Sequence, residues 1–136
     1  MTQKDKELLL KDLCSRLPYG VKGLHRGEKR ELLVMDSFGS YQVNEYDAWF
    51  DLNSVIFKPY LFPLSSITEG QKNQISQLLL DAKIEYPPYE EDYDNLLVSS
   101  VKQANALINY CLVSHLDING LIEKGLAIDA TGLNIY

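Results

Sequence analysis

Two prolines near the middle of the chain restrict the folds that it can adopt. Pro59 and Pro63 stand in the segment KPYLFPLSSIT, residues 58–68. Because proline lacks the N–H that helices and sheet ladders use, this segment is predicted to be neither a helix interior nor a central strand. We interpret it as a structural joint between a sheet and a helix, with Tyr60 and Leu61 buried. An exposed recognition segment is the alternative.

Three amphipathic helices are predicted from apolar residues at i, i+3, i+4 spacing, near residues 3–17, 68–82 and 96–116. Thr2 can cap the first helix. Ser65, Ser66 or Thr68 can cap the second. In the third helix, the residues predicted to face the core are Val101, Ala104, Ile108, Cys111 and Leu112.

Short β-prone pieces lie between the first helix and the prolines. They predict strands near 21–25, 31–36 and 40–50, joined by hairpin connections at 26–29 and 37–40. Short connections favour antiparallel neighbours, so residues 21–57 are predicted to form a small antiparallel β-meander packed by about three helices. The predicted fold class is α+β.

The length and composition are those of one globular domain. A chain of 136 residues with 46% hydrophobic and 24% charged residues can bury one core, so residues 1–136 are predicted to form a single domain. No stretch approaches the ~20 apolar residues of a membrane span, and the start lacks a signal-peptide core. We expect a cytoplasmic protein whose two cysteines, Cys14 and Cys111, remain thiols.

Charge is distributed unevenly along this acidic chain, whose net charge is −6. Residues 1–30 hold eight basic and four acidic side chains, and residues 31–136 hold five basic and fifteen acidic ones. One interpretation is that opposite patches hold the first segment against the rest of the chain, or orient two copies head to tail as a homo-oligomer. A solvated surface with chance clustering is the other.

Two segments carry a resemblance. KPYLFPLSSIT together with HLDINGLIEKGLAIDATG, residues 115–132, resembles a family of short uncharacterised proteins from Bacteroides-group gut bacteria and their phages and mobile elements. The resemblance implies a cytoplasmic accessory protein and supplies no catalytic residues. Phe62 departs from the family pattern, which has a more polar residue before the second proline.

Two charged segments suggest roles related to nucleic acid. GLHRGEKR could form a basic hairpin tip that contacts phosphate through Lys22, Arg26, Lys29 and Arg30, with His25 as a stacking residue. The acidic, tyrosine-rich loop 85–94 could instead imitate the charge and stacking of DNA. Its candidate interaction residues are Tyr86, Tyr89, Glu90, Glu91, Asp92, Tyr93 and Asp94.

Motifs for catalysis or metal binding are weak. Cys111 and His115 are four residues apart on the predicted third helix, a spacing that suits two metal ligands, but zinc needs four and Cys14 and His25 lie on other elements. We therefore predict no catalytic residue, no metal and no cofactor. The favoured function is a non-catalytic interaction protein of a phage or mobile element, with an unknown protein partner and no membrane. The alternatives are a role related to nucleic acid and an enzyme of unrecognised type.

Overall fold

The computed structural model describes residues 1–44, 48–81 and 93–136. Short 3₁₀ turns at Leu17–Tyr19 and Leu64–Ser66 accompany the helices and strands. In chain order these are α1 (Gln3–Arg16), β1 (Val21–His25), β2 (Glu28–Met35), β3 (Ser40–Val43), β4 (Phe50–Asp51), β5 (Lys58–Leu61), α2 (Glu69–Asp81), α3 (Tyr93–Val113) and β6 (Ile128–Asp129).

The predicted α+β class is confirmed. The six strands form one sheet in the order β4-β3-β2-β1-β5-β6, in which all neighbours are antiparallel except β5 and β6. The chain divides into two compact units. The first unit comprises residues 1–66 and 115–136, and the second unit comprises residues 67–114.

A tight turn joins β1 to β2. Arg26 and Gly27 both have positive φ, 52° and 81°, which is the signature of the two-residue type I′ turn that suits the twist of a hairpin. His25 therefore pairs directly with Glu28. The predicted four-residue connection at 26–29 was too long, and β2 begins three residues earlier than predicted.

The core of the first unit lies between α1 and one face of the sheet. Its buried apolar residues come from α1, the strands, the loop between β4 and β5 and the segment before β6, and they are Leu9, Leu13, Val21, Leu32, Tyr41, Val43, Leu52, Phe57, Leu61, Leu121, Leu126 and Ala127. Gly23 makes this packing possible, since a Cβ there would lie 2.4 Å from the Phe57 ring. Glycine thus lets an aromatic ring lie directly against β1.

The prediction that the proline segment is not a central strand was wrong. Lys58–Leu61 is β5, which lies between β1 and β6. Proline is tolerated because each neighbour pairs with only two residues of this short strand: β1 with Lys58 and Pro59, and β6 with Tyr60 and Leu61. The burial of Tyr60 and Leu61 predicted for a structural joint is confirmed.

Segments 58–68 and 115–132 are hydrogen-bonded to each other. The N–H of Phe62 donates to the carbonyl oxygen of His115 at 2.8 Å, and the N–H of Asp117 donates to the carbonyl oxygen of Phe62 at 2.9 Å. Further along, the N–H of Ala130 donates to the carbonyl oxygen of Leu61. These hydrogen bonds therefore join two parts of the chain that are distant in sequence.

Two threonines cap helices as predicted. Thr2 Oγ1 accepts a hydrogen bond from the N–H of Asp5 at the start of α1. At the start of α2, Thr68 Oγ1 accepts from the N–H of Gln71, and Gln71 Oε1 accepts from the N–H of Thr68. This reciprocal pair is a capping box, which selects Thr68 from the three candidates.

The second unit consists of α2 and α3, which contact each other. Along α2, every residue of which is described, no side chain is buried, and Leu79 and Leu80 are exposed. Of the core-facing residues predicted in α3, Leu112 is buried. Among the α3 side chains that the structure describes, the half-buried ones are Gln103, Ala106, Leu107, Tyr110 and Cys111.

The predicted burial of Val101, Ala104 and Ile108 was wrong, because all three are exposed. The half-buried side of α3 lies beside the predicted stripe rather than along it. Within the described ranges, none of the helices combines the length and the apolar character that crossing a bilayer requires.

Candidate interaction surface

The α3 apolar stripe, which we define as Val98, Val101, Ala104 and Ile108, is the apolar surface that the second unit exposes along one helix. At ~100° per residue, these four residues fall within about 120° of the helix circumference. Val101 is 50% exposed and Ile108 is 47% exposed. Single exposed aliphatic residues are common on protein surfaces, but several on one side of a helix indicate a contact surface.

Charge is scarce around the stripe. From residue 98 to residue 113 the sequence contains a single ionisable cation, Lys102, and no carboxylate. Solvated helices usually carry charged residues on the side that faces water. The exposed side of α3 is thus poor in charged residues for a helix that faces water.

The four predicted phosphate contacts have different surroundings. Lys22 Nζ donates to the carbonyl oxygen of Ile135 at 3.1 Å, and the Arg30 guanidinium pairs with the carboxylate of Glu28. The Arg26 guanidinium lies over the Phe50 ring, 5.6 Å from its centroid. Lys22, Lys29 and Arg30 do line a small pocket of about 90 Å³, which they share with Glu31 and Asn44.

His25, predicted as a stacking residue for bases, is instead inside the protein. It is 1% exposed, and its ring contacts the rings of Tyr41 and Phe50 edge-on, with centroid distances of 5.8 Å and 4.5 Å. Burial lowers the pKa of His25, and the positive charges of Arg26 and Arg30 lower it further. A neutral histidine in an aromatic cluster is a core residue, so the stacking role is wrong.

The acidic tyrosine loop falls mostly on residues that the structure does not describe. Tyr86, Tyr89, Glu90, Glu91 and Asp92 lie outside the described residues. Tyr93 and Asp94 belong to the first turn of α3, so the predicted helix began a few residues too late. The DNA-imitating role of this loop stays a prediction.

The metal interpretation required Cys111 and His115 to lie on the same helix, and they do not. α3 ends at Val113, and His115 has a positive φ of 58°, the left-handed conformation that follows many helix ends. Among the described residues, no group of three or more His, Cys, Asp or Glu side chains is arranged to hold a metal ion. Cys14, the other thiol considered, is exposed on α1.

A groove of about 410 Å³ in the first unit includes Leu64, Ile118 and Asp117 in its lining. The Asp117 carboxylate accepts hydrogen bonds from the backbone N–H groups of Leu121 at 2.8 Å and Ile122 at 3.0 Å. Asp117 therefore stabilises a turn of the chain. Leu64 is half exposed.

Sequence reasoning identified Val101, Ala104 and Ile108 as an apolar stripe but assigned them to the core, and it did not include Val98. The missing signal was the scarcity of charge between residues 98 and 113, where Lys102 is the single charged residue. No protein-family model, curated protein or solved structure matches the chain.

Proposed function

We propose that this chain is a non-catalytic interaction protein of a phage or mobile element, and that it binds another protein through the α3 apolar stripe. The observation that carries the proposal is the exposure of Val101 and Ile108 on a helix side with almost no charge. The resemblance of segments 58–68 and 115–132 supports the assignment to phages or mobile elements.

The partner surface is a helix with apolar residues at the same spacing. Val101, Ala104 and Ile108 repeat at intervals of three and four residues, so they form the ridges and grooves with which one helix packs against another. The small side chain of Ala104 between two branched ones lets the partner helix approach closely. Apolar burial, rather than charge pairing, stabilises such a contact.

The test places one charge in the stripe and the same charge elsewhere on the helix. Ile108→Glu adds a carboxylate to the stripe, and Ser99→Glu adds one to an exposed position on a different side of α3. Each variant is immobilised, host lysate is passed over it, and affinity for each captured protein is measured by calorimetry with purified components. We expect Ile108→Glu to weaken binding at least tenfold and Ser99→Glu to leave it unchanged.

Circular dichroism of both variants establishes that the helices are intact. Equal binding by wild type, Ile108→Glu and Ser99→Glu would exclude the stripe as the binding surface. Light scattering identifies a different partner: if the wild-type mass is doubled and Ile108→Glu alone restores the single mass, the helix that covers the stripe belongs to a second copy. Substrate turnover that is lost on Cys111→Ala or His115→Ala would refute the non-catalytic assignment.

A further inference from the structure

One tyrosine hydroxyl in the first unit is held between two strands. The Tyr136 hydroxyl accepts a hydrogen bond from the N–H of Lys22 on β1 at 3.1 Å. It also lies 3.2 Å from the carbonyl oxygen of Lys22 and 3.0 Å from that of Tyr60 on β5, and its single proton can be donated to either. Three backbone groups of two strands therefore converge on one phenol.

These backbone groups converge because the ladder between β1 and β5 is short. It pairs Leu24 with Lys58 and Gly23 with Pro59, and it extends no further towards Lys22. Beyond it, the polar groups of Lys22 and Tyr60 face each other across a gap that a hydroxyl spans. We call this gap, with its walls, the tyrosine cleft; its residues are Lys22, Tyr60, Phe62 and His115.

The walls of the tyrosine cleft fit an aromatic ring. The His115 ring stacks on the Tyr136 ring with centroids 3.5 Å apart and planes 11° apart, and Phe62 lies at a centroid distance of 6.3 Å. Lys22 Nζ lies 5.8 Å from the Tyr136 ring centroid, within the range of a cation–π contact. Burial, and then the charges of Arg16 and Lys22, lower the pKa of His115 to about 4, so its ring is neutral at pH 7.

The segment that carries Tyr136 lies on the surface. Residues 131–134 are exposed, and their turn is held by local hydrogen bonds, from the N–H of Thr131 to Asp129 Oδ1 and from the N–H of Leu133 to the carbonyl oxygen of Ala130. The contacts with β1 and β5 come from Ile135 and Tyr136. Tyr136 itself is 42% exposed, so its ring can leave without unpacking the core.

We propose that the tyrosine cleft is a peptide-binding site for a tyrosine side chain, and that Tyr136 is a resident ligand which the tyrosine of a partner peptide displaces. The ligand chemistry follows from the walls: the ring stacks on His115, and the phenol hydroxyl satisfies the backbone groups of Lys22 and Tyr60. Lys22 Nζ, which donates to the carbonyl oxygen of Ile135, binds the carbonyl that precedes the incoming tyrosine. Phenylalanine fits the walls but leaves the backbone groups unpaired, which selects against it.

The test removes the Tyr136 side chain from the tyrosine cleft and measures the binding of two small ligands. Tyr136→Ala removes the resident ring, and N-acetyl-tyrosinamide and N-acetyl-phenylalaninamide are titrated into the variant while the His115 ring protons are followed by NMR. We expect saturable binding of the tyrosine compound, and binding of the phenylalanine compound at least tenfold weaker. The matched control is Tyr136→Phe, in which a ring still occupies the cleft and the tyrosine compound should bind much more weakly.

Each outcome decides the proposal. Failure of Tyr136→Ala to bind the tyrosine compound, equal binding of the two compounds, or equal binding by Tyr136→Ala and Tyr136→Phe would overturn it. If Tyr136→Ala is partly unfolded alone, circular dichroism follows its refolding on addition of the tyrosine compound, and no recovery also overturns the proposal. His115→Ala in the Tyr136→Ala background should weaken binding further, because it removes the stacking surface.

Discussion

The first and second units differ in how completely they bury their apolar residues. In the first unit, α1 and the sheet enclose Leu13, Tyr41, Phe57 and Leu61 with no exposure. In the second unit, α2 has no buried side chain, and α3 exposes its apolar stripe. Both units contain many aliphatic residues, so composition does not explain the difference.

The difference in burial follows from which elements pack together in each unit. A helix on a sheet encloses a core because the sheet is wide enough to cover the apolar side of the helix. Two paired helices cover only one side of each other, and any further apolar residues stay in water until another element covers them. The first unit thus supplies its own core, whereas the second unit leaves the α3 apolar stripe exposed.

The largest effect is expected where the first unit buries an ion pair. Arg16 Nε donates to Asp12 Oδ2 at 2.7 Å, and neither side chain is more than 1% exposed. Asp12→Ala leaves a buried guanidinium without its carboxylate, which typically costs about 3–5 kcal/mol of unfolding free energy. Urea denaturation measures this loss.

The control for Asp12→Ala is an exposed ion pair in the second unit. On α2, Lys72 Nζ lies 3.9 Å from Glu69 Oε1, and both side chains are more than half exposed. Glu69→Ala should therefore leave the unfolding midpoint where it was, because exposed pairs contribute little. Equal losses in the two variants would contradict the difference in burial between the units.

The next effect compares one aliphatic residue from each unit. Leu61→Ala opens a cavity in the core of the first unit and should lower the unfolding free energy by about 2–5 kcal/mol. Ile108→Ala removes a half-exposed side chain from the α3 apolar stripe and should cost much less in the isolated protein. Ile108→Ala should, however, reduce the affinity for the partner. If Ile108→Ala lowers the unfolding free energy of the isolated protein about as much as Leu61→Ala does, the stripe is part of a core.

Local patterns predicted most of the fold. Three helices, their two threonine caps and the strand Val21–His25 follow from spacing and capping chemistry, which act within a few residues. The central position of β5 could not be predicted, because it depends on pairing with β6 about seventy residues later. The proline rule failed there since short ladders require few N–H groups.

The candidate surface could be predicted in part. The spacing of Val101, Ala104 and Ile108 identifies an apolar stripe, but spacing does not reveal whether the partner of a stripe lies in the same chain. The tyrosine cleft was beyond sequence reasoning, because Lys22, Tyr60, His115 and Tyr136 are far apart in the chain and meet through the end of one ladder.

The smallest expected effect is the loss of one helix cap in each unit, and it compares the local stabilities of the two units. Thr2 caps α1 in the first unit and Thr68 caps α2 in the second, so Thr2→Ala and Thr68→Ala remove the same kind of contact. Each should cost about 1 kcal/mol, which is roughly a fivefold change in an opening equilibrium. Because α2 buries no side chain, we expect its amides to exchange by local opening, faster than those of α1.

Hydrogen exchange read residue by residue distinguishes the two caps. Thr68→Ala should accelerate amide exchange along α2 and leave exchange in α1 unchanged. Thr2→Ala should accelerate amide exchange in α1 and should not cause local opening of α2. The wild type sets the scale for both. If α1 and α2 have the same protection, and each variant accelerates both helices equally, then the second unit opens only when the whole chain unfolds. The second unit, despite its exposed stripe, would then have to be held together by contacts as strong as those in the core of the first unit.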